Sequence, residues 1–221
     1  MDEWFPSHYS VLLSGPPGVG KFEYIVTRLG RVLRAGGPAV FVTLDVHPEE
    51  IRARAKSLEV DLGMYEGPSF MFVDCYTPAA EMHSEAPTGR KSLVVSSFGN
   101  LEGIGMAVGK AALELGPPVH VFLYTISTLF LHNSTPAIAK FLQIVTARVK
   151  TNIGFILYAV NDGVHDDLTM NLLRSLTDGV IEMRFNDQMQ REVRAHHMRG
   201  YRTDPTWTAF SIDPGSARVV A

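Results

Sequence analysis

Tyr9-Ser10-Val11-Leu12-Leu13-Ser14-Gly15-Pro16-Pro17-Gly18-Val19-Gly20-Lys21-Phe22 sets the register in which the rest of the sequence is read. Residues 9–13 are a short apolar run entering a Gly/Pro cluster, and residues 21–35 carry Ile25, Leu29 and Leu33 at helical spacing. The order reads as strand, loop, helix. Gly15, Gly18, Gly20 and Lys21 fit a loop whose backbone N–H groups surround phosphate oxygens while the lysine reaches the terminal phosphates. The dipole of the following helix adds to that attraction. The candidate binding set is therefore Gly15, Pro16, Pro17, Gly18, Val19, Gly20, Lys21 and Phe22. The plainer alternative is a tight strand-to-helix turn with an incidental lysine.

The same rhythm continues outward. Residues 38–44 read as a buried strand, and His47-Pro48-Glu49-Glu50 opens a helix with proline and acids in its first turn. An apolar run follows at 69–76, then a polar stretch, 77–92, expected to be an exposed loop. Helices are predicted at 101–115, 136–150 and 167–176, and strands at 119–125, 153–160 and 179–185. Repeated strand-helix units predict a mostly parallel sheet covered on both faces. Residues 191–198 and 206–212 look like strands with no helix between them, so the sheet is expected to end in an antiparallel extension.

A chain of 221 residues fits one α/β domain spanning 1–221. Its formal net charge of −3 and 19% charged residues demand neither nucleic acid nor membrane. The single cysteine, Cys75, has no internal disulfide partner and suits a reducing, cytoplasmic setting. Met1-Asp2-Glu3-Trp4 does not resemble a leader.

Several stretches follow one another in a telling order: Leu12 through Lys21; Val40-Phe41-Val42-Thr43-Leu44-Asp45 with Pro48; and Ser127-Thr128-Leu129-Phe130-Leu131. Further along come Asp162-Gly163-Val164-His165-Asp166, Asp178-Gly179-Val180-Ile181-Glu182 and His197-Met198-Arg199-Gly200. Their order and spacing resemble the KaiC/RadA-like branch of the RecA superfamily, in its small single-domain archaeal form. The resemblance implies a RecA-like three-layer sandwich, ATP or ADP as ligand, and a homo-oligomer or another RecA-like subunit as partner. It also implies metal-supporting and catalytic groups that this chain replaces. Phe22 stands for the Ser/Thr after the loop lysine, Tyr124 for an aspartate ending a strand, and Asp45-Val46 for a pair of acids. A Lys-x-Arg pair that reaches the neighbouring subunit's phosphate is represented by His197 and Arg199.

Removing metal support strikes the largest electrostatic contribution to phosphoryl transfer. The expectation is a nucleotide-binding regulatory or assembly subunit with little or no hydrolysis, no intact catalytic set beyond a vestigial Asp45, and no need of ordered Mg²⁺. Two alternatives stand beside it: a vestigial loop on a protein-interaction scaffold, and an ATPase whose metal site is rebuilt from Asp45, Asp74 or Glu23. Asp45 could equally cap the next helix, and Asp74 fits a turn. The group Asn161, Asp162, His165, Asp166 and Asp167 matches no metal-ligand spacing and reads as a polar loop with a helix cap. His196 and His197 should alternate faces on their strand. Ser14 lacks the context of a nucleophile. Arg28, Arg31, Arg34, Arg52 and Arg54 could form a basic face, although ordinary solvated helix surfaces account for them and DNA binding has no other support.

Overall fold

A computed structural model describes residues 6–80, 92–213 and 216–220. Its central strand, β1 (Tyr9–Gly15), is buried along its whole length. β1 pairs in parallel with β6 (Gly154–Asn161) on one edge and β7 (Gly179–Phe185) on the other. A strand buried on both faces carries apolar side chains on both, which explains a continuous apolar run where a half-exposed strand would alternate.

Outward from β6 lie β5 (Val119–Tyr124), β2 (Ala39–Thr43), β3 (Phe70–Asp74) and the short β4 (Ser92–Val94), all parallel. Outward from β7 lie β8 (Arg191–Met198), β9 (Thr208–Asp213) and β10 (Ser216–Val220), each antiparallel to the strand before it. The described residues thus form one sheet in the order β10-β9-β8-β7-β1-β6-β5-β2-β3-β4. It is the expected mostly parallel sheet with an antiparallel C-terminal extension.

Alternate residues of β1 enter two separate cores. Tyr9, Val11 and Leu13 pack with Ile25 and Leu29 of α1 (Lys21–Arg34) and with Ile51 and Ala55 of α2 (Pro48–Ser57). Leu12 joins the opposite layer, with Ile104 and Val108 of α4 (Leu101–Leu115), Ile138 and Leu142 of α6 (Thr135–Arg148) and Leu173 of α7 (Asp167–Ser175). Short helices α3 (Thr77–Ala80) and α5 (Ile126–Leu129) follow β3 and β5. Local chemistry marks the helix starts: Asn100 accepts the Gly103 N–H before α4, and Asp166 accepts the Thr169 N–H before α7.

The structure differs from the sequence reading in four places. Both ends of the stretch expected as a loop at 77–92 are regular, as α3 and the start of β4; its middle, 81–91, lies outside the described residues, as does Met1 to Trp4. β10 was not anticipated. The helix expected to 150 gives way at Arg148 to one wide turn, Val149–Ile153, so β6 starts at Gly154. On β8 the register against β7 slips between Val180 and Ile181. This bulge cancels the alternation expected of His196 and His197, and both are exposed with ring centroids 5.6 Å apart.

One polar contact ties β6 to its covering helix. The Tyr158 hydroxyl, fully buried, lies 2.8 Å from Thr146 Oγ1 on α6. Thr146→Val is expected to destabilise the fold by about 1–3 kcal/mol, because it strands the tyrosine hydroxyl in an apolar layer. The double variant Thr146→Val/Tyr158→Phe should recover most of that loss, as measured by urea unfolding midpoints.

Candidate functional site

The chain leaves β1 at Gly15, turns through Pro16 to Gly20 and enters α1 at Lys21. Gly18 and Gly20 have φ values of +78° and +104°, a region that residues with a Cβ adopt only under strain. Gly20 is constrained twice. A Cβ there would come within 2.7 Å of Ile212 Cδ1 and 3.0 Å of Phe210 Cε1, both on β9. Gly20 supplies no side chain to cap α1, so the first N–H groups of that helix face the loop without a side-chain acceptor.

Lys21 folds back over this turn. Its ammonium donates to the carbonyls of Gly15 at 2.6 Å and Pro16 at 2.8 Å, which occupies two of its three donors. The residue is 4% exposed. Burial pulls its pKa down to about 8, and the nearby carboxylates Asp162 and Asp45 oppose that fall. Both carboxylates stand just past strand ends on the same edge of the sheet. Asp162 follows β6 and donates its N–H to Gly15 O at 3.0 Å; Asp45 follows β2 and accepts Thr125 Oγ1 at 2.7 Å and Thr128 Oγ1. Burial raises the pKa of each. Four strand ends thus converge at the carboxyl edge of the sheet, where open α/β sheets place their ligands.

Beyond Lys21 the cleft, about 230 Å³, is lined by Gly18, Phe22, Glu23, Arg54, Tyr124 and Asn161 among others. Phe22 and Tyr124 meet edge to face, with centroids 5.6 Å apart and rings at 77°. Burial pushes the Tyr124 hydroxyl up to about 12, and Asp45 adds to that effect. The Arg54 guanidinium lies over the Phe22 ring, 3.7 Å from its centroid, and contacts Glu23 at 3.0 Å.

The other candidates sit elsewhere. Arg199 follows β8, at the amino end of β1, and lies 3.3 Å from Asp178. Asp178 also binds Lys150 at 2.7 Å and the N–H and hydroxyl of Ser10. From Ser10 to Gly15 the chain runs five residue steps along β1, roughly 17 Å, so His197 and Arg199 do not reach the loop of their own chain. Asp74 accepts the N–H groups of Tyr76 and Thr77, the turn role. Asp166 caps α7, and His165 Nε2 lies 3.0 Å from Ser127 Oγ. The arginines of α1 and α2 do not form one unpaired basic face: Arg52 binds Glu66 and Glu49, and Arg54 binds Glu23 and Glu50. Sequence reasoning missed Arg54 as a cleft residue, and Asn161 and Asp162 as its neighbours; the sole signal was the position of the latter two just past an apolar strand.

The profile of a family described as "Family of unknown function (DUF7504)" matches residues 9–183. The chain belongs to this family. Similar proteins include a UPF0273 protein of Aeropyrum pernix, 30% identical over 152 residues, covering 67% of this chain and 58% of the relative. A UPF0273 protein of Pyrobaculum aerophilum is 27% identical over 157 residues, covering 71% and 53%. The chain spans between about half and three-fifths of the length of these relatives. Its fold is KaiC-like: a crystal structure of a KaiC-like protein from Pyrococcus horikoshii OT3 superposes with a TM-score of 0.76 at 19% identity, covering 98% of this chain and 91% of that one. No helix among the described residues is long and apolar enough to cross a membrane.

Gly20→Ala and Gly18→Ala separate the two constraints on the loop. Each imposes a left-handed backbone on alanine, a cost of about 1–2 kcal/mol, but only Gly20→Ala also collides with β9, because nothing lies within 4 Å of a Cβ at Gly18. Denaturant unfolding should show Gly20→Ala as the more damaging by about 1 kcal/mol or more.

Proposed function

We propose that this protein binds the phosphate chain of ATP or ADP at the Gly15–Lys21 turn, with little or no hydrolysis, and serves as a regulatory or assembly subunit. The observation that carries this reading is the buried Lys21 ammonium. It is held by two backbone carbonyls of the turn, which leaves it a third donor, and it lines one cleft together with the uncapped amino end of α1. A buried cation with no full ion pair is costly unless an anion completes its surroundings.

The side chains around the turn do not suit Mg²⁺. Phe22 has no oxygen to offer, Tyr124 keeps its proton, and both oxygens of Asp45 already accept threonine hydroxyls. No hydrolytic step is therefore derived through a metal. Without it, the charge that develops on a transferring phosphoryl group lacks its main counter-ion, and turnover should be at least several orders of magnitude below that of an intact site.

In this reading the exposed Arg199 cluster, at the far end of β1, serves a neighbouring subunit: a head-to-tail homo-oligomer would set one protomer's Arg199 against the next one's cleft. A second reading has its own support. The packed Phe22–Tyr124 pair fills the corner beside the loop, as expected if the turn survives only as scaffold for a protein interaction.

Calorimetric titration decides between them. ATP or ADP is expected to bind with and without Mg²⁺, and Lys21→Ala to abolish binding; no heat at near-millimolar nucleotide in either condition supports the scaffold reading. The pH dependence has a definite sign. Burial lowers the Lys21 pKa to about 8, and binding requires the ammonium form, so affinity should fall above pH 8 by up to about tenfold per unit. Because bound phosphate raises that pKa again, binding near pH 8 should take up protons, visible as a dependence of the measured enthalpy on the buffer. Phosphate release abolished by Lys21→Ala would instead revive an enzymatic role.

A further inference from the structure

Resting on the nucleotide-binding reading above, we propose that Arg54 is the built-in cation of this site: its guanidinium supplies, from α2, the positive charge toward the terminal phosphates that a metal would otherwise bring. The ligand class is a nucleoside di- or triphosphate bound free of metal.

Three observations carry this. First, the two residues that deny the corner to a metal are the two that build a seat for an arginine. Phe22 turns the face of its ring to the guanidinium at 3.7 Å, and Tyr124 packs edge-on against the same ring. An aromatic face attracts a cation through its quadrupole, and a guanidinium, weakly hydrated and planar, stacks there more readily than an ammonium. Second, Arg54 and Lys21 line one cleft, together with Gly18 and Gly20. An oxyanion seated over the loop thus shares its cleft with two cations. Third, Arg54 is held but not consumed. Its contacts are Glu23 at 3.0 Å and Glu50 at 3.6 Å, the latter a loose pairing with an exposed glutamate. With five N–H donors and a side chain 38% exposed, the guanidinium can give a forked pair of hydrogen bonds to a phosphate without leaving the Phe22 ring.

Glu23 has a distinct role in this arrangement. It stands in the first turn of α1, beside the loop, and holds Arg54 when no anion is present. An incoming phosphate competes with that carboxylate for the same donors and is repelled by it. Removing the carboxylate should therefore strengthen binding, whereas removing Arg54 should weaken it. A purely structural ion pair would give no such opposition of signs.

The test is calorimetric titration of the full chain with ATP in EDTA and again in Mg²⁺, for wild type and for Lys21→Ala, Arg54→Gln, Arg54→Lys and Glu23→Gln, with thermal unfolding as a check on folding. The expected result is wild-type binding in EDTA that Mg²⁺ improves less than about threefold. Arg54→Gln should lose about ten- to a hundredfold in affinity, the worth of charged hydrogen bonds. Arg54→Lys should fall between the two, and Glu23→Gln should bind more tightly than wild type. If wild type binds and Lys21→Ala does not, but Arg54→Gln matches wild type, the loop reading stands and the role of Arg54 is overturned. Binding that requires Mg²⁺, or a Glu23→Gln variant no tighter than wild type, overturns it as well. If wild type fails to bind under any condition, the underlying reading of the loop falls first.

Discussion

β1 is hydrogen-bonded on both edges and covered on both faces, so its carboxyl end is where the middle of the sheet first presents unpaired backbone polarity. The molecule meets that constraint locally. Gly15 O is shared between the Lys21 ammonium and the Asp162 N–H, and Pro16 O takes a second proton of Lys21. A buried lysine thereby closes the turn from inside, and the helix that begins at the same residue directs its amino end outward. The fold's need for a satisfied strand end and the site's need for a cation above a ring of amides are met by one side chain. A substitution at Lys21 consequently acts on both, which is why its neighbours carry more diagnostic weight than it does.

The parts of the fold legible in the sequence are those whose determinants are local. α4, expected at 101–115 and closed by Gly116-Pro117-Pro118, and β8, expected at 191–198, both appear with the expected limits. Elements specified by tertiary contact were not legible. β4 is three residues long and stands at the edge of the described sheet, and β10 exists through its pairing with β9. The bulge that exposes both His196 and His197 leaves no mark in a single sequence, because it is a property of two strands rather than one.

The site divides along the same line. The loop is contiguous, so its motif is legible in seven neighbouring residues, although β9 also bounds it. The rest is assembled from strand ends and helices separated in the chain: Asp45 with Thr125 and Thr128, Asp162 against Gly15, and Arg54 of α2 over Phe22 of α1. On paper Arg54 is one of several arginines on two amphipathic helices. Only the packing of α2 beside α1 distinguishes it from Arg52, whose partners are Glu66 and the Phe72 ring. The similarity to a KaiC-like structure at 19% identity is a likeness of sheet and layers, and it leaves the chemistry to be argued from these particular side chains.

The contact of Gly20 with Phe210 and Ile212 joins the beginning of the domain to a strand almost two hundred residues later. During synthesis, β1 and α1 emerge long before β9 exists. The wall that leaves no room for a side chain at position 20 can be completed only once Phe210 and Ile212 have been made. A chain interrupted before Phe210 would carry every residue of the glycine-rich motif and still lack the wall that holds it in form.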